Sequence, residues 1–269
     1  FIKEHTDIKM IYYGHDLHFM RDFREYELTG DVKKRQESEY WKSIEFSLFH
    51  KVAVSYYPSY VEEEAIHAVD ETIPVKAITA YVYEEFLQNL NKDFAKREGL
   101  LFVGGFAHPP NADAVLWFAK EVFPKIREQI KVNFYIVGSK VTDEIKALEQ
   151  PGNGIIVKGF VSEEELADLY RNCRIVVVPL RYGAGVKGKV VEAIYNGAPI
   201  VTTSVGSEGI PDVEKVLLVK DQPDEFAETV VELYKDEKRL EDLAEKTQVY
   251  IREHFSIDAA WDVIKEDFE

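Results

Sequence analysis

Residues 174–203 read RIVVVPL RYGAGVKGK VVEAIYNGAPIVTT. Arg174–Leu180 is a nearly continuous apolar, β-branched run, the composition of a strand covered on both faces of a parallel sheet. Lys189–Tyr195 has the pattern of a helix, and Asn196-Gly197 supplies its stop. Pro199–Thr203 returns to strand character. Between the first strand and the helix lies a loop with glycines at 183, 185 and 188. The same alternation extends outward in both directions. Leu100–Val103 reads as a strand closed by Gly104-Gly105 and followed by a helix over Ala112–Gln129. Val132–Val137 is a strand ending at Gly138-Ser139, Asp143–Glu149 a short helix, and Ile155–Lys158 a strand before Gly159. Ser162–Glu165 forms a capping box that opens the next helix. Val216–Val219 is a further strand, and from Pro223 the pattern is helical to the end with a break at Phe255-Ser256. Strands alternating with helices at this spacing predict a doubly wound parallel α/β sheet.

The first part of the chain is sparser. Ile8–Tyr13, Lys51–Tyr57 and Ile73–Ile78 read as strands, with helices over His18–Leu28 and Glu37–His50. Pro58-Ser59 starts a short helix whose Glu62, Glu63 and Glu64 read as a solvated first turn near the helix dipole. Thr79–Glu98 is polar and aromatic, the connection between halves. A Rossmann-type half uses more strands than these, so this segment is expected to be the later part of a domain whose opening strands lie upstream of Phe1.

Composition narrows the function. The chain has 269 residues, 46% hydrophobic and 13% aromatic, enough to bury a core. With one cysteine, Cys173, it has no internal disulfide and no thiolate-rich metal site, which favours a reducing, cytoplasmic setting. No stretch approaches the ~20 apolar residues of a membrane span. The net charge of −16 argues against nucleic acid as a partner. Against that background Arg181, Lys187 and Lys189 are a local exception. Glycines let backbone amides approach an anion closely, and a helix N-terminus follows, so the loop suits a diphosphate. Two other readings stand beside this one. A solvated basic turn has the same composition, and Gly183, Gly185 and Gly188 satisfy the dinucleotide fingerprint, with Glu208 in place of its acid. His18, His50, His67 and His254 lack metal-ligand spacing, and no metalloprotease, nucleophile-elbow or phosphate-loop motif occurs. Trp41, Trp117 and Trp261 read as core residues.

The run from Gly104 to Ile210 resembles the carboxyl-terminal domain of a family 4 glycosyltransferase (glycosyl transferases group 1) of the GT-B fold. The residues from Arg181 through Glu192 and Gly197 to Ser204 carry the likeness. Tyr-Tyr-Gly-His15-Asp16 resembles the end of the family's acceptor domain. The resemblance implies two Rossmann-like doubly wound parallel sheets, the first truncated. It divides the chain into a partial acceptor-side domain (1–85), a donor-binding domain (86–254) and a closing helix (255–269), through which Trp261 would dock on the first half. It also implies retaining transfer of a sugar from a nucleotide-sugar to a sugar or lipid-linked glycan acceptor, in glycan or polysaccharide synthesis, without a metal or other cofactor. Membrane-surface association is compatible with such an acceptor, though no basic amphipathic stretch supports it.

Residue by residue, Glu192 matches the second glutamate of the family's E-x7-E motif and would hold the ribose. The first falls at Ala184, which cannot contact the sugar. The basic pair the family often carries after the first strand of this domain is absent from Gly104–His108, so Arg181, Lys187 and Lys189, with the backbone of Gly185, Val186 and Gly188, would take the diphosphate. Phe160 and Val161 would line the base, while Gly105, His108 and Ser139 are possible donor contacts. His15 would face the transferred sugar as the catalytic candidate, with Asp16 orienting it. Two alternatives remain: a non-catalytic sugar-nucleotide-binding module, and a nicotinamide-dependent oxidoreductase using the Gly183–Gly188 turn.

Overall fold

The computed structural model describes residues 8–183 and 185–268; Ala184, the position of the first motif glutamate, lies outside them. In the first half, β1 (Ile11–Tyr13) is followed by α1 (His18–Thr29) and α2 (Val32–Phe49), then β2 (Val54–Tyr57), α3 (Tyr60–His67) and β3 (Val75–Ala77). The strands form a parallel sheet in the order β1-β2-β3. The second helix begins earlier than expected because Asp31 caps it, accepting from the Lys33 amide at 2.9 Å. Leu17, at the N-cap of α1, offers no capping side chain. Glu45 of α2 does that work from outside: its buried carboxylate accepts from the amides of His18 (2.9 Å) and Phe19 (3.2 Å). This fixes the Gly14–Leu17 turn at the carboxyl end of β1.

The second half holds β4 (Leu100–Val103), α4 (Pro109–Trp117), α5 (Phe123–Arg127), β5 (Phe134–Val137), α6 (Asp143–Lys146), β6 (Ile155–Gly159), α7 (Glu163–Asn172) and β7 (Ile175–Val178). It continues through α8 (Gly188–Tyr195), β8 (Ile200–Thr202), α9 (Ser204–Ser207), β9 (Leu217–Val219), α10 (Pro223–Lys235), α11 (Glu237–Phe255) and α12 (Ile257–Phe268). All strand pairs are parallel, in the order β6-β5-β4-β7-β8-β9. The single helix expected over 112–129 is instead two α-helices joined by a π-helical turn at Phe118–Val122. Pro124 has no amide to continue the ladder, and the wider turn accommodates it. The core lies on both faces of this sheet, with Phe102, Phe118, Phe134 and Phe226 fully buried.

Reversal of strand order between β4 and β7 opens a crevice at their carboxyl ends, where open α/β sheets bind ligands. Polar contacts join the halves both near the crevice and far from it. Arg24 of α1 donates to both carboxylate oxygens of Glu208 (2.7 and 2.8 Å) beside the crevice. At the far side Asp267 of α12 accepts from Lys76 (2.6 Å) and Tyr56 (2.5 Å). Trp261 is not a core residue: it is 51% exposed, and Asp267 carries the polar contacts named above between α12 and the first half. Among the described residues no helix is long and apolar enough to cross a membrane.

Candidate active site

The crevice floor is made of backbone packed too closely for side chains. A Cβ on Gly138 would sit 1.9 Å from the Gly104 carbonyl oxygen, so the turns after β4 and β5 interlock only because Gly138 is glycine. Asn111, buried in the first turn of α4, organises what stands above. Its amide nitrogen donates to the Gly105 carbonyl (2.7 Å), and its oxygen accepts from Lys189 Nζ. The Lys189 ammonium also lies 5.2 Å from the centre of the Phe102 ring. Burial, with Lys187 adding repulsion, lowers its pKa to about 8.

Lys187 rests its ammonium on the Gly185 carbonyl. Burial lowers its pKa too, with Glu208, Glu62 and Asp16 opposing and Arg24 reinforcing the fall. His108 is held down by burial and by both lysines. The structure thus brings Lys187, Lys189 and His108 into one electrostatic cluster, with Gly105 and the exposed Ser139 at its edge. No described residue accepts from the amides of Gly185, Val186 or Lys187. Across the cluster, Asp16, Arg21 and Arg24 of the first half face His108, Pro109 and Tyr182 over a cleft of about 310 Å³.

Several expectations change. Arg181 does not join the lysines: its guanidinium grips both carboxylate oxygens of Asp113, with the Nε contact at 2.8 Å, and lies 6.0 Å from the Trp117 ring centre. The carboxylate raises its pKa and satisfies its charge. Glu62 is not solvated; its side chain is fully buried, with Oε2 accepting from Ser59 Oγ. Gly188, expected to offer a bare amide, lies against a phenol. A Cβ there would come within 2.5 Å of the Tyr81 hydroxyl, and the Gly188 amide partly offsets the burial-driven rise of that phenol's pKa.

Glu192 lies in the second turn of α8. Burial raises its pKa, and the Tyr170 hydroxyl opposes that rise. Tyr83, stacked on Tyr195 at 4.2 Å, is also close enough for Glu192 to raise its pKa. Phe160 is 82% exposed after β6, and Val161 is half-buried. His15 is exposed after β1, its ring edge-on to Tyr13 at 5.0 Å. Cys173 is buried, which pushes its thiol up to about 12. Among the described residues no group of three or more His, Cys, Asp or Glu could hold a metal ion.

Sequence reading missed Asn111, Asp113, Tyr81 and Glu62. The last carried a local signal, since Ser59-Tyr-Val-Glu62 has the capping-box spacing.

Residues 97–236, over half of the chain, match the family model for glycosyl transferases group 1. The chain belongs to this family. A relative by sequence is the uncharacterized 44.6 kDa protein in the cps region of Klebsiella pneumoniae, 29% identical over 184 residues, which are 65% of this chain and 45% of that protein. The chain therefore spans less than half the length of that curated relative. TarM of S. aureus, solved with fondaparinux, α-GlcNAc-glycerol and UDP, is similar at a TM-score of 0.74 and 14% identity, covering 98% of this chain and 52% of TarM. Sucrose-phosphate synthase of Thermosynechococcus elongatus is similar at 0.73 and 16%, covering 99% of this chain and 68% of that enzyme. These likenesses show the GT-B type of fold: two parallel α/β sheets, the first with three strands among the described residues.

Proposed function

We propose that the protein is a retaining glycosyltransferase that moves a sugar from a nucleotide-diphosphate-sugar to an acceptor hydroxyl. The observation that carries this reading is the convergence of Lys187, Lys189 and His108 at the β4–β7 crevice, beside the Gly185, Val186 and Lys187 amides, for which no described residue is an acceptor. Departure of a nucleoside diphosphate builds negative charge, and preorganised cations and amide dipoles stabilise that charge. In this scheme Lys187 and Lys189 hold the diphosphate with the backbone of Gly185 and Val186. Glu192 holds the ribose, and Phe160 with Val161 lies along the base. His15 acts from the opposite wall on the transferred sugar. UDP in the TarM complex supports a uridine nucleotide as the first donor to try.

A role in polysaccharide synthesis is supported by the cps-region location of the relative; the acceptor in this proposal is a sugar or a lipid-linked glycan. Metal-independent, cytoplasmic action completes the proposal. Thermal melts with UDP, GDP, ADP, CDP and NADH test the donor site: stabilisation by a nucleoside diphosphate and none by NADH is expected. Stabilisation by NADH alone would refute it. Transfer of labelled sugar to an acceptor then separates a transferase from a binding module, which would bind the donor without turnover.

A further inference from the structure

Glu62 presents a problem that the fold does not explain. Its side chain is fully buried, and a buried carboxyl oxygen without a partner is costly. Capping α3 accounts for one oxygen: Ser59 Oγ, which also caps the Val61 amide at 3.2 Å, donates to Oε2. The other, Oε1, has no hydrogen-bond partner among the described residues. It points out of the first half toward the donor loop, 3.5 Å from where a Cβ would stand on Gly185. Gly185 is buried with φ +71°, and its carbonyl is the one on which Lys187 rests. Nearby, a Cβ on Gly209 would come within 2.6 Å of Ser59, so the two halves are closely packed here.

Resting on the donor-site reading above, we propose that Glu62 is a positioning residue for this loop, holding the Gly185 turn through a protonated carboxyl when an anionic donor occupies Lys187. Without a donor, the Lys187 ammonium donates to the Gly185 carbonyl. When Lys187 turns to the diphosphate, that buried carbonyl loses its donor. A protonated Glu62 replaces it, with its Oε1 hydroxyl donating to the same oxygen and the proton coming from solvent. The electrostatics favour the exchange. Burial already raises the Glu62 pKa against the pull of Ser59, and Glu208 and Asp16 raise it further. Lys187 is the cation facing it, and Arg24 is engaged by Glu208. A diphosphate adds negative charge and pushes in the same direction.

The test is titration calorimetry with UDP, or with whichever of GDP, ADP and CDP stabilises the wild type, in buffers of different ionisation enthalpy between pH 6 and 8. Wild type is expected to take up more protons on binding than Glu62→Gln, whose amide can donate to the Gly185 carbonyl without one. Wild-type affinity should fall relative to Glu62→Gln as pH rises, by at most about tenfold per pH unit for one linked proton. Ser59→Ala removes a group that favours the charged carboxyl and should move this dependence to higher pH. Equal proton uptake and parallel pH profiles in wild type and Glu62→Gln would overturn the proposal while leaving the donor site intact. If Glu62→Gln does not fold, a pH profile unmoved by Ser59→Ala overturns it. Failure of the wild type to bind any of the four nucleotides would instead remove the donor-site reading on which it rests.

Discussion

Lys189→Met should make the donor-free protein more stable at neutral pH and less responsive to donor. The Lys189 pKa falls from 10.5 to about 8, which corresponds to about 3 kcal/mol of cost to keep the ammonium charged in the native state. Methionine removes that cost and keeps the packing against Phe102. It also leaves the buried Asn111 oxygen without its donor, a loss of about 1–2 kcal/mol. The net gain is about 1–2 kcal/mol, or roughly 2–6 °C in melting temperature for a protein of this size class. The sign depends on pH. Between about 8 and 10.5 the unfolded chain binds more protons at this site than the native one, so wild-type stability climbs with pH. Above that window the charging cost is gone, only the Asn111 loss remains, and the variant should be the less stable protein. Melts of both proteins at pH 7 and pH 10.5, with and without UDP, give the four comparisons needed. Donor-free melting temperatures that do not cross, together with an undiminished UDP shift in the variant, would refute the reasoning.

Three further outcomes follow from the geometry. Lys187→Ala should weaken nucleoside diphosphate binding by roughly ten- to a hundredfold, as loss of a charge-assisted contact does, whereas Arg181→Ala should change it less than about twofold because Asp113 already holds that guanidinium; calorimetry on both variants checks the order. A double-mutant cycle on Arg24 and Glu208 should give a coupling of about 1 kcal/mol, the range for a partly exposed ion pair, and no measurable coupling in urea melts would show that the bridge does not join the halves. Asp267 has its carboxyl lowered to about 2, chiefly by Lys76 and then by Tyr56, so its contribution is complete above about pH 4 and is lost as pH falls toward 2. Asp267→Asn should therefore speed amide exchange in α12 at pH 7.

The second sheet was legible in the sequence because its signals are local. Apolar runs such as Ile175–Val178, glycines at strand ends and caps such as Ser162 each act within a few residues, and together they give strand number and direction. The glycine-rich loop between β7 and α8 was legible for the same reason. What could not be read depends on distant partners. Asp113 lies 68 positions from Arg181, and nothing around Arg181 announces that its charge is spent there. Asn111 lies 78 positions from Lys189. Glu62 reads as a solvated acid because a first-turn carboxylate is favourable anywhere on a surface; that the Gly185 turn of the other half packs against it is not a local signal. The π-helical turn was locally announced by Pro124 and was still read as one helix, since apolar periodicity continues through it.

On the donor-site reading proposed above, the partners of the cationic side chains explain why the lysines, rather than the arginines, are the groups left to meet an anion. Arg181 has Asp113, Arg24 has Glu208, and Arg21 has Asp16 at 2.6 Å with Asp22 at 3.2 Å. Each is neutralised inside the protein, and a ligand would have to displace a carboxylate to use it. Among the described residues, Lys187 and Lys189 have a backbone carbonyl and an amide oxygen as their hydrogen-bond partners. Those partners satisfy hydrogen bonds without cancelling charge, which is why burial and mutual repulsion act on Lys189 with little opposition. An anion bound beside them would pair with both charges and offset their repulsion, so binding would recover part of a cost that folding has already met. A neutral sugar would recover none of it. On the proposed reading, selectivity of the crevice for a diphosphate over a free sugar follows from where the acidic residues are placed as much as from the basic ones: in a chain of net charge −16, Glu208, Glu62 and Asp16 lie near enough to act on Lys187, yet no described carboxylate pairs with Lys187 or Lys189.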